Sequence, residues 1–314
     1  MFELMFWVAI LVVGTVLMVL SSDKAVEHSV FFASALGISP LMIGFTLVSL
    51  GTDLPEIINS LLSSAIGHGN INVGDSIGSV LTQLTLVLGI LTFFGPSFKV
   101  KRKEVLITGS SLILALMLII SIVEKGYISR INALFLIFSW PIYTLLTRSV
   151  IGQNPPSFQE EMQTRKNKKL HHIVIAVLGF IGVAVGAYAV IQSIIALSAT
   201  FKIPEYILSF FLLAIGTSLP ELAVDLTALR KREYEIVIGD IIGSCVIDAS
   251  FSIGIGQVFF PQTISGEIAA LTILYTLLAS FLVVFTLAVR QKLDKKSGVF
   301  FIGIYSLSYL FLFI

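Results

Sequence analysis

The chain has 314 residues, of which 56% are hydrophobic and only 12% charged, and its mean hydropathy is +0.98. A soluble domain carries about 25% charged residues, so these values place the chain among polytopic membrane proteins and leave no room for a separate soluble domain. The single cysteine, Cys245, excludes an intramolecular disulfide framework and any multi-cysteine metal site, while a formal net charge of +1 points to no partner and leaves no nucleic-acid footprint.

Apolar runs of about 20 residues, enough to cross roughly 30 Å of hydrocarbon, recur along the chain. They predict helices near 2–22 (open to extension through Leu36), 41–66, 71–94, 104–123 and 128–148, then near 172–199, 205–229, 236–260, 267–290 and 297–314. The first run lacks a basic n-region and a small-residue cleavage site, so it reads as a retained helix and not a signal peptide. One long polar connection, Gly152 to Leu170, carries Pro155, Pro156, Glu160, Glu161, Arg165, Lys166, Lys168 and Lys169. It divides the chain into a first half (1–150), a linker (151–171) and a second half (172–314).

Each half holds five predicted helices. Five is odd, so the second half enters the membrane from the opposite side, and the expected fold is an all-α membrane protein of two inverted five-helix repeats. Charge gives a second test. With both termini outside, 17 of the 20 Lys and Arg fall on the inner side with the linker, leaving Lys125, Arg130 and Lys202 outside. The positive-inside rule selects that orientation in the cell membrane.

Two phrases occur in both halves at an offset of 165 residues, marking a tandem duplication. Leu50-Gly51-Thr52-Asp53-Leu54-Pro55-Glu56 returns as Ile215-Gly216-Thr217-Ser218-Leu219-Pro220-Glu221. Eighteen residues after each Glu, Gly74-Asp75-Ser76-Ile77-Gly78-Ser79 returns as Gly239-Asp240-Ile241-Ile242-Gly243-Ser244. Proline in a membrane helix removes one backbone hydrogen bond and clashes with the carbonyl four residues back, here Gly51 or Gly216. Each helix should open there and free carbonyls such as those of Ser49, Leu50, Ala214 and Ile215, which survive at that depth only facing protein or a water-filled cavity. With the hydroxyls of Thr52, Thr217 and Ser218 and the carboxylates of Glu56 and Glu221, they form an all-oxygen set, the chemistry that hard cations such as Ca²⁺ and Na⁺ select.

In the following helix of each half, Asp75, Ser79 and Gln83 share one face, as do Asp240, Ser244 and Asp248. Gly74, Gly78, Gly239 and Gly243 allow close helix approach. The duplicated geometry predicts that Glu56 and Glu221 face each other across a pseudo-twofold axis, with Ser79, Gln83, Ser244 and Asp248 completing a ring. The bland alternative, a structural pairing of the acids with Lys or Arg, is disfavoured because the bases lie almost entirely in loops. Asp75 and Asp240 have two open readings, caps of their own helix starts or members of an ion pathway. Asp225, matching Ser60, is either a vestibule acid or the wet end of its helix. His28, His68, His171 and His172 find no ligand partner, Asp23, Lys24 and Glu27 suit mutual pairing, and Trp7, Trp140, Tyr127 and Tyr143 suit an aromatic belt.

These duplicated motifs resemble the α-repeats of the cation/calcium exchanger superfamily, and most of all its prokaryotic Na⁺/Ca²⁺ exchangers. The resemblance covers essentially the whole length and implies four central sites between the second, third, seventh and eighth helices. By motif, its ligands fall on Thr52, Glu56, Ser79, Thr217, Ser218, Glu221, Ser244 and Asp248, with carbonyls from Ser49 and Ala214. The sequence departs from the family pattern at Asp53, which stands where Ser is usual, at Gln83 in place of Asn, and at Gly-Asp in place of Gly-Asn in both stripes. Asp53 adds a fourth acid to the core, to be balanced by additional Na⁺, K⁺ or a proton.

The expected activity is exchange of Ca²⁺ for Na⁺ by alternating access, with a proton- or K⁺-coupled cation exchanger and a cation channel as rivals. Neither an enzyme nor a resident cofactor is expected, since no nucleophile, base and orienting residue assemble from these motifs. The expected partners are the lipid bilayer and inorganic cations, with no protein partner evident.

Overall fold

The computed structural model describes residues 2–33, 40–151 and 169–313. The helical elements are α1 (Phe2–Ala33), α2 (Leu41–Thr52 continued by Leu54–Ala65), α3 (Gly69–Phe94), α4 (Arg102–Val123) and α5 (Arg130–Ile151), followed by α6 (Lys169–Phe201), α7 (Glu205–Arg230), α8 (Tyr234–Phe259), α9 (Gly266–Arg290) and α10 (Lys295–Phe313). Among the described residues, eight helices are long and apolar enough to cross a membrane, or nine if the two segments of α2, which meet at 45°, form one span. The chain is therefore an all-helical polytopic membrane protein, to which two-residue bridges add only β1 (Phe98–Lys99), β2 (Tyr127–Ile128), β3 (Gln262–Thr263) and β4 (Lys292–Leu293). Linker residues 152–168 and the possible extension of α1 through 34–36 lie outside the described residues, as do the side chains of Asp23, Lys24, Glu27, His28, His171 and His172.

The duplication is written into the backbone. Among the described residues, four short π-helical segments, Gly44–Val48, Thr82–Val87, Ser209–Leu213 and Asp248–Ser252, interrupt α2, α3, α7 and α8. The first and third are offset by 165, and the second and fourth by one residue more at the start. π-Bulges locally widen the hydrogen-bond ladder and cluster at functional sites. Four of the five left-handed residues described follow the same offset: Gly67 (φ 89°) matches Arg232 (φ 63°), and Gly126 (φ 69°) matches Gln291 (φ 48°). So do helix caps, since the Ser129 Oγ accepts the Asn132 amide at the start of α5 while Asp294 Oδ1 accepts the Ser297 amide at the start of α10.

The loops sort into two ends. At one end β1 pairs with β4, and Lys101 bridges Glu104 and Glu235. At the other, β2 pairs with β3, His68 Nδ1 meets Glu205 at 2.9 Å, and Asn70 Oδ1 accepts the Ser265 amide at 2.7 Å. In the middle, 78% of the α3 span and 89% of the α8 span are buried, against 11% of the α1 span. The apolar runs are thus alike in sequence, yet α3 and α8 are the centre of the bundle, whereas α1 and α6 pack on each other along its edge.

Glycines set which helices touch. A Cβ at Gly74 or Gly78 would overlap the carbonyl oxygens of Tyr206 or Phe210 on α7, and one at Gly239 or Gly243 would overlap the α2 backbone at Leu41 or Phe45. The polar stripe of each half therefore docks on the broken helix of the other half. At the edge, Gly186 lies against the backbone of Gly14 and Met18, and Gly216, in the second broken turn, lies against Thr15 of α1.

Candidate cation site

The two Pro-Glu turns are built alike. Asp53 and Ser218 leave helical geometry (ψ 6° and 5°), and a new helical segment starts at the next residue with Pro55 or Pro220 in its first turn, where a missing N–H costs nothing. The opening is partial: the carbonyls of Ser49 and Ala214 still accept the Asp53 and Ser218 amides at 2.9 and 3.1 Å. They are not released outright, contrary to the expectation from proline alone, but a carbonyl has a second lone pair, and the Thr52 and Thr217 hydroxyls also reach back to them at 3.3 and 3.4 Å.

These turns bring three carboxylates together. Asp53, Glu56 and Glu221 each offer an oxygen within 4.8 Å of the others, and all three side chains are fully buried. Oxygens held this close can converge on one hard cation after small side-chain adjustments, since Ca²⁺ takes its oxygen ligands at about 2.4 Å. Around them, Ser79 Oγ donates to Glu56 Oε1 at 3.3 Å and meets Thr217 Oγ1 at 3.2 Å, while Thr52 Oγ1 meets Ser244 Oγ at 3.4 Å. The last two contacts are the same contact in the two repeats. Gln83 Nε2 donates to Asp248 Oδ2 at 3.3 Å, and these two residues are themselves 165 apart, as are Cys245 and Val80, whose thiol and carbonyl meet at 3.6 Å.

Among the described residues, seven carboxylates are buried: Asp53, Glu56, Asp75, Glu221, Asp225, Asp240 and Asp248. No Lys, Arg or His is buried with them, and the ion pairs lie at the helix ends. Structural pairing with bases thus finds no support. Several oxygens in the cluster have no protein donor: both of Asp53, Glu56 Oε2, Asp248 Oδ1, and the hydroxyls of Ser49 and Ser218. An uncompensated buried charge costs several kcal/mol, and oxygens left without donors are what a hard cation requires.

Three expectations are corrected. Asp75 and Asp240 are not helix caps, because α3 and α8 begin at Gly69 and Tyr234, well before them. Asp75 is held by the Asn59 side-chain amide at 2.6 Å and the Thr217 hydroxyl at 3.1 Å instead. Trp140 and Tyr143 do not form a belt: they turn inward from α5, Trp140 packing on Phe251 with ring centroids 5.6 Å apart and Tyr143 buried in the core. His68 does have a partner, Glu205. Asn59 is the participant that sequence reasoning missed, although its place one turn beyond Glu56 put it on the same face.

This geometry has relatives. The sodium/calcium exchanger protein family matches the chain twice, over residues 6–148 and 171–314. The chain belongs to that family. The inner membrane protein YrbG of Escherichia coli is 32% identical over 273 residues, covering 82% of this chain and 81% of that protein. The sodium/calcium exchanger MaX1 of Methanosarcina acetivorans is 24% identical over 296 residues, covering 82% and 84%. A solved structure of the sodium-calcium exchanger NCX_Mj, soaked with Na⁺ and Sr²⁺, superposes with a TM-score of 0.67 at 26% identity over 98% of each chain. The family is one of membrane transporters and not of enzymes, as the motifs implied.

Proposed function

We propose that this protein is a secondary antiporter exchanging Ca²⁺ for Na⁺ by alternating access. The observation that carries the reading is the cluster of Asp53, Glu56 and Glu221, fully buried where two broken helices meet, with no Lys, Arg or His buried among the described residues. Ca²⁺ and Na⁺ compete for this oxygen set, which we take to comprise Ser49, Thr52, Asp53, Glu56, Ser79, Gln83, Ala214, Thr217, Ser218, Glu221, Ser244 and Asp248. A filled cluster is neutralised and can be occluded, whereas an empty one carries bare charge, so only loaded forms cross between the two faces.

The framework of the proposal is ten transmembrane helices in two inverted halves, 1–150 and 172–314, joined by the cytoplasmic linker 151–171, with both termini outside. It is supported by the segregation of loops into two ends and by contacts between residues 165 apart, which an axis relating the halves requires of residues lying on it.

Asp53 favours one further reading. Glu56, Glu221 and Asp53 together exceed the charge of one Ca²⁺, so an additional Na⁺, K⁺ or proton accompanies it. Flux into proteoliposomes tests both. Uptake of ⁴⁵Ca²⁺ driven by an outward Na⁺ gradient and indifferent to a pH gradient is expected; uptake driven by the pH gradient alone would replace Na⁺ by H⁺ as the coupling ion, and conductive flow without a trans ion would make the protein a channel.

A further inference from the structure

Asp225 and Asp240 are buried acids outside the group formed by Asp53, Glu56 and Glu221. Asp225 lies one turn beyond Glu221 on α7, toward the exposed Arg230, Lys231 and Arg232, and Asp240 lies on α8, which packs beside that segment. Both side chains are fully buried, and no N–H or hydroxyl donor reaches any of their four carboxyl oxygens. The two carboxyl groups lie within hydrogen-bonding reach of each other, and each lies close enough to Glu221 to feel its charge.

The first repeat supplies an internal control at the same backbone positions. Asp240 corresponds to Asp75, equally buried, whose oxygens are held by Asn59 and Thr217. Asp225 corresponds to Ser60, whose hydroxyl accepts the Gly256 amide at 3.1 Å. Val224 stands where Asn59 stood, so the second repeat has lost a donor and gained an acid at one place. A buried polar group keeps its place only when something completes it. In the first repeat protein donors do so, and in the second two carboxylates converge without any.

We propose that Asp225 and Asp240 form a second site for a hard divalent cation such as Ca²⁺, on the passage between the central cluster and the Arg230–Arg232 end, with no equivalent on the opposite passage. An ion leaving the central cluster toward that end then pauses between two carboxylates, while one leaving the other way meets an Asp75 already satisfied by neutral groups. Which side of the membrane this serves rests on the topology proposed above; the site itself does not.

Equilibrium binding of ⁴⁵Ca²⁺ to the detergent-purified full chain tests it. The E56Q/E221Q variant, with the central cluster disabled, is expected to retain Ca²⁺ binding, and E56Q/E221Q/D225N/D240N is expected to lose it. Equal binding by the two variants overturns the proposal, as does an infrared carboxylic-acid band that D225N removes and saturating Ca²⁺ does not, because that pair would hold a proton instead. D225S, which installs the first repeat's residue, guards against misfolding: monodisperse by size exclusion, it is expected to lose the Ca²⁺-dependent thermal shift seen in the E56Q/E221Q background. Wild-type protein that shows this binding but no Na⁺-driven uptake would refute the exchange proposal and leave the second site standing.

Discussion

At the scale of single residues, the central question is how much charge the cluster carries. Glu221 and Glu56 come from the duplicated motif, and Asp53 is the acid that one copy has and the other replaces with Ser218. Glu221→Gln removes a charged ligand, worth about 3 kcal/mol, so Na⁺-driven ⁴⁵Ca²⁺ uptake should fall roughly 100-fold while the purified protein stays monodisperse. Undiminished uptake would remove Glu221 from the site. Asp53→Ser makes the two turns alike. It should preserve exchange and lower by one the positive charges moved with each Ca²⁺, which the reversal potential of the exchange current reads directly. Thr52, Thr217 and the Glu residues were legible from the sequence because a proline and an acid at membrane depth are anomalous. Asn59 was not, since an amide on a helix face carries no comparable signal until Asp75 is found 2.6 Å away.

At the scale of elements, each polar stripe is positioned by glycine contacts with the broken helix of the opposite half. The space is already full at Gly78, where a Cβ would meet the Phe210 carbonyl and the Ala214 side chain. Gly78→Val should therefore force α3 and α7 apart at a cost of about 1–3 kcal/mol and lower the melting temperature in detergent. An unchanged melting temperature would show that these helices do not meet there. The helices themselves were readable from apolar run length: the observed elements begin and end within three residues of expectation wherever the ends are described, α1 taking the longer of its two expected lengths and reaching Ala33. Two things escaped that reading. The π-helical segments depend on how the backbone accommodates its neighbours and have no composition of their own. Of the two readings open for Asp75 and Asp240, capping fell away because each acid sits more than a turn inside its helix, which begins at Gly69 or Tyr234.

At the scale of the whole molecule, the duplication gives two ends of different charge. Cysteines placed at exposed Lys125 and Lys202 should react with an impermeant maleimide added outside intact cells, whereas those at Lys231 and Lys292 should react only after permeabilisation; Cys245 is buried and gives little background. The reverse pattern would invert the proposed orientation without altering the fold. By itself the sequence determined the membrane class, the duplication with its 165-residue offset, and an oxygen-only chemistry, because hydrophobic length, repetition and residue type are properties of the chain read one position at a time. Only the tertiary structure decided that each stripe packs on the other half's broken helix and that Asp75 is satisfied where Asp240 is not. Those facts depend on which surfaces meet across the repeats, and two copies of one motif acquire different partners when, among the described residues, seven buried acids share one interior without a buried base.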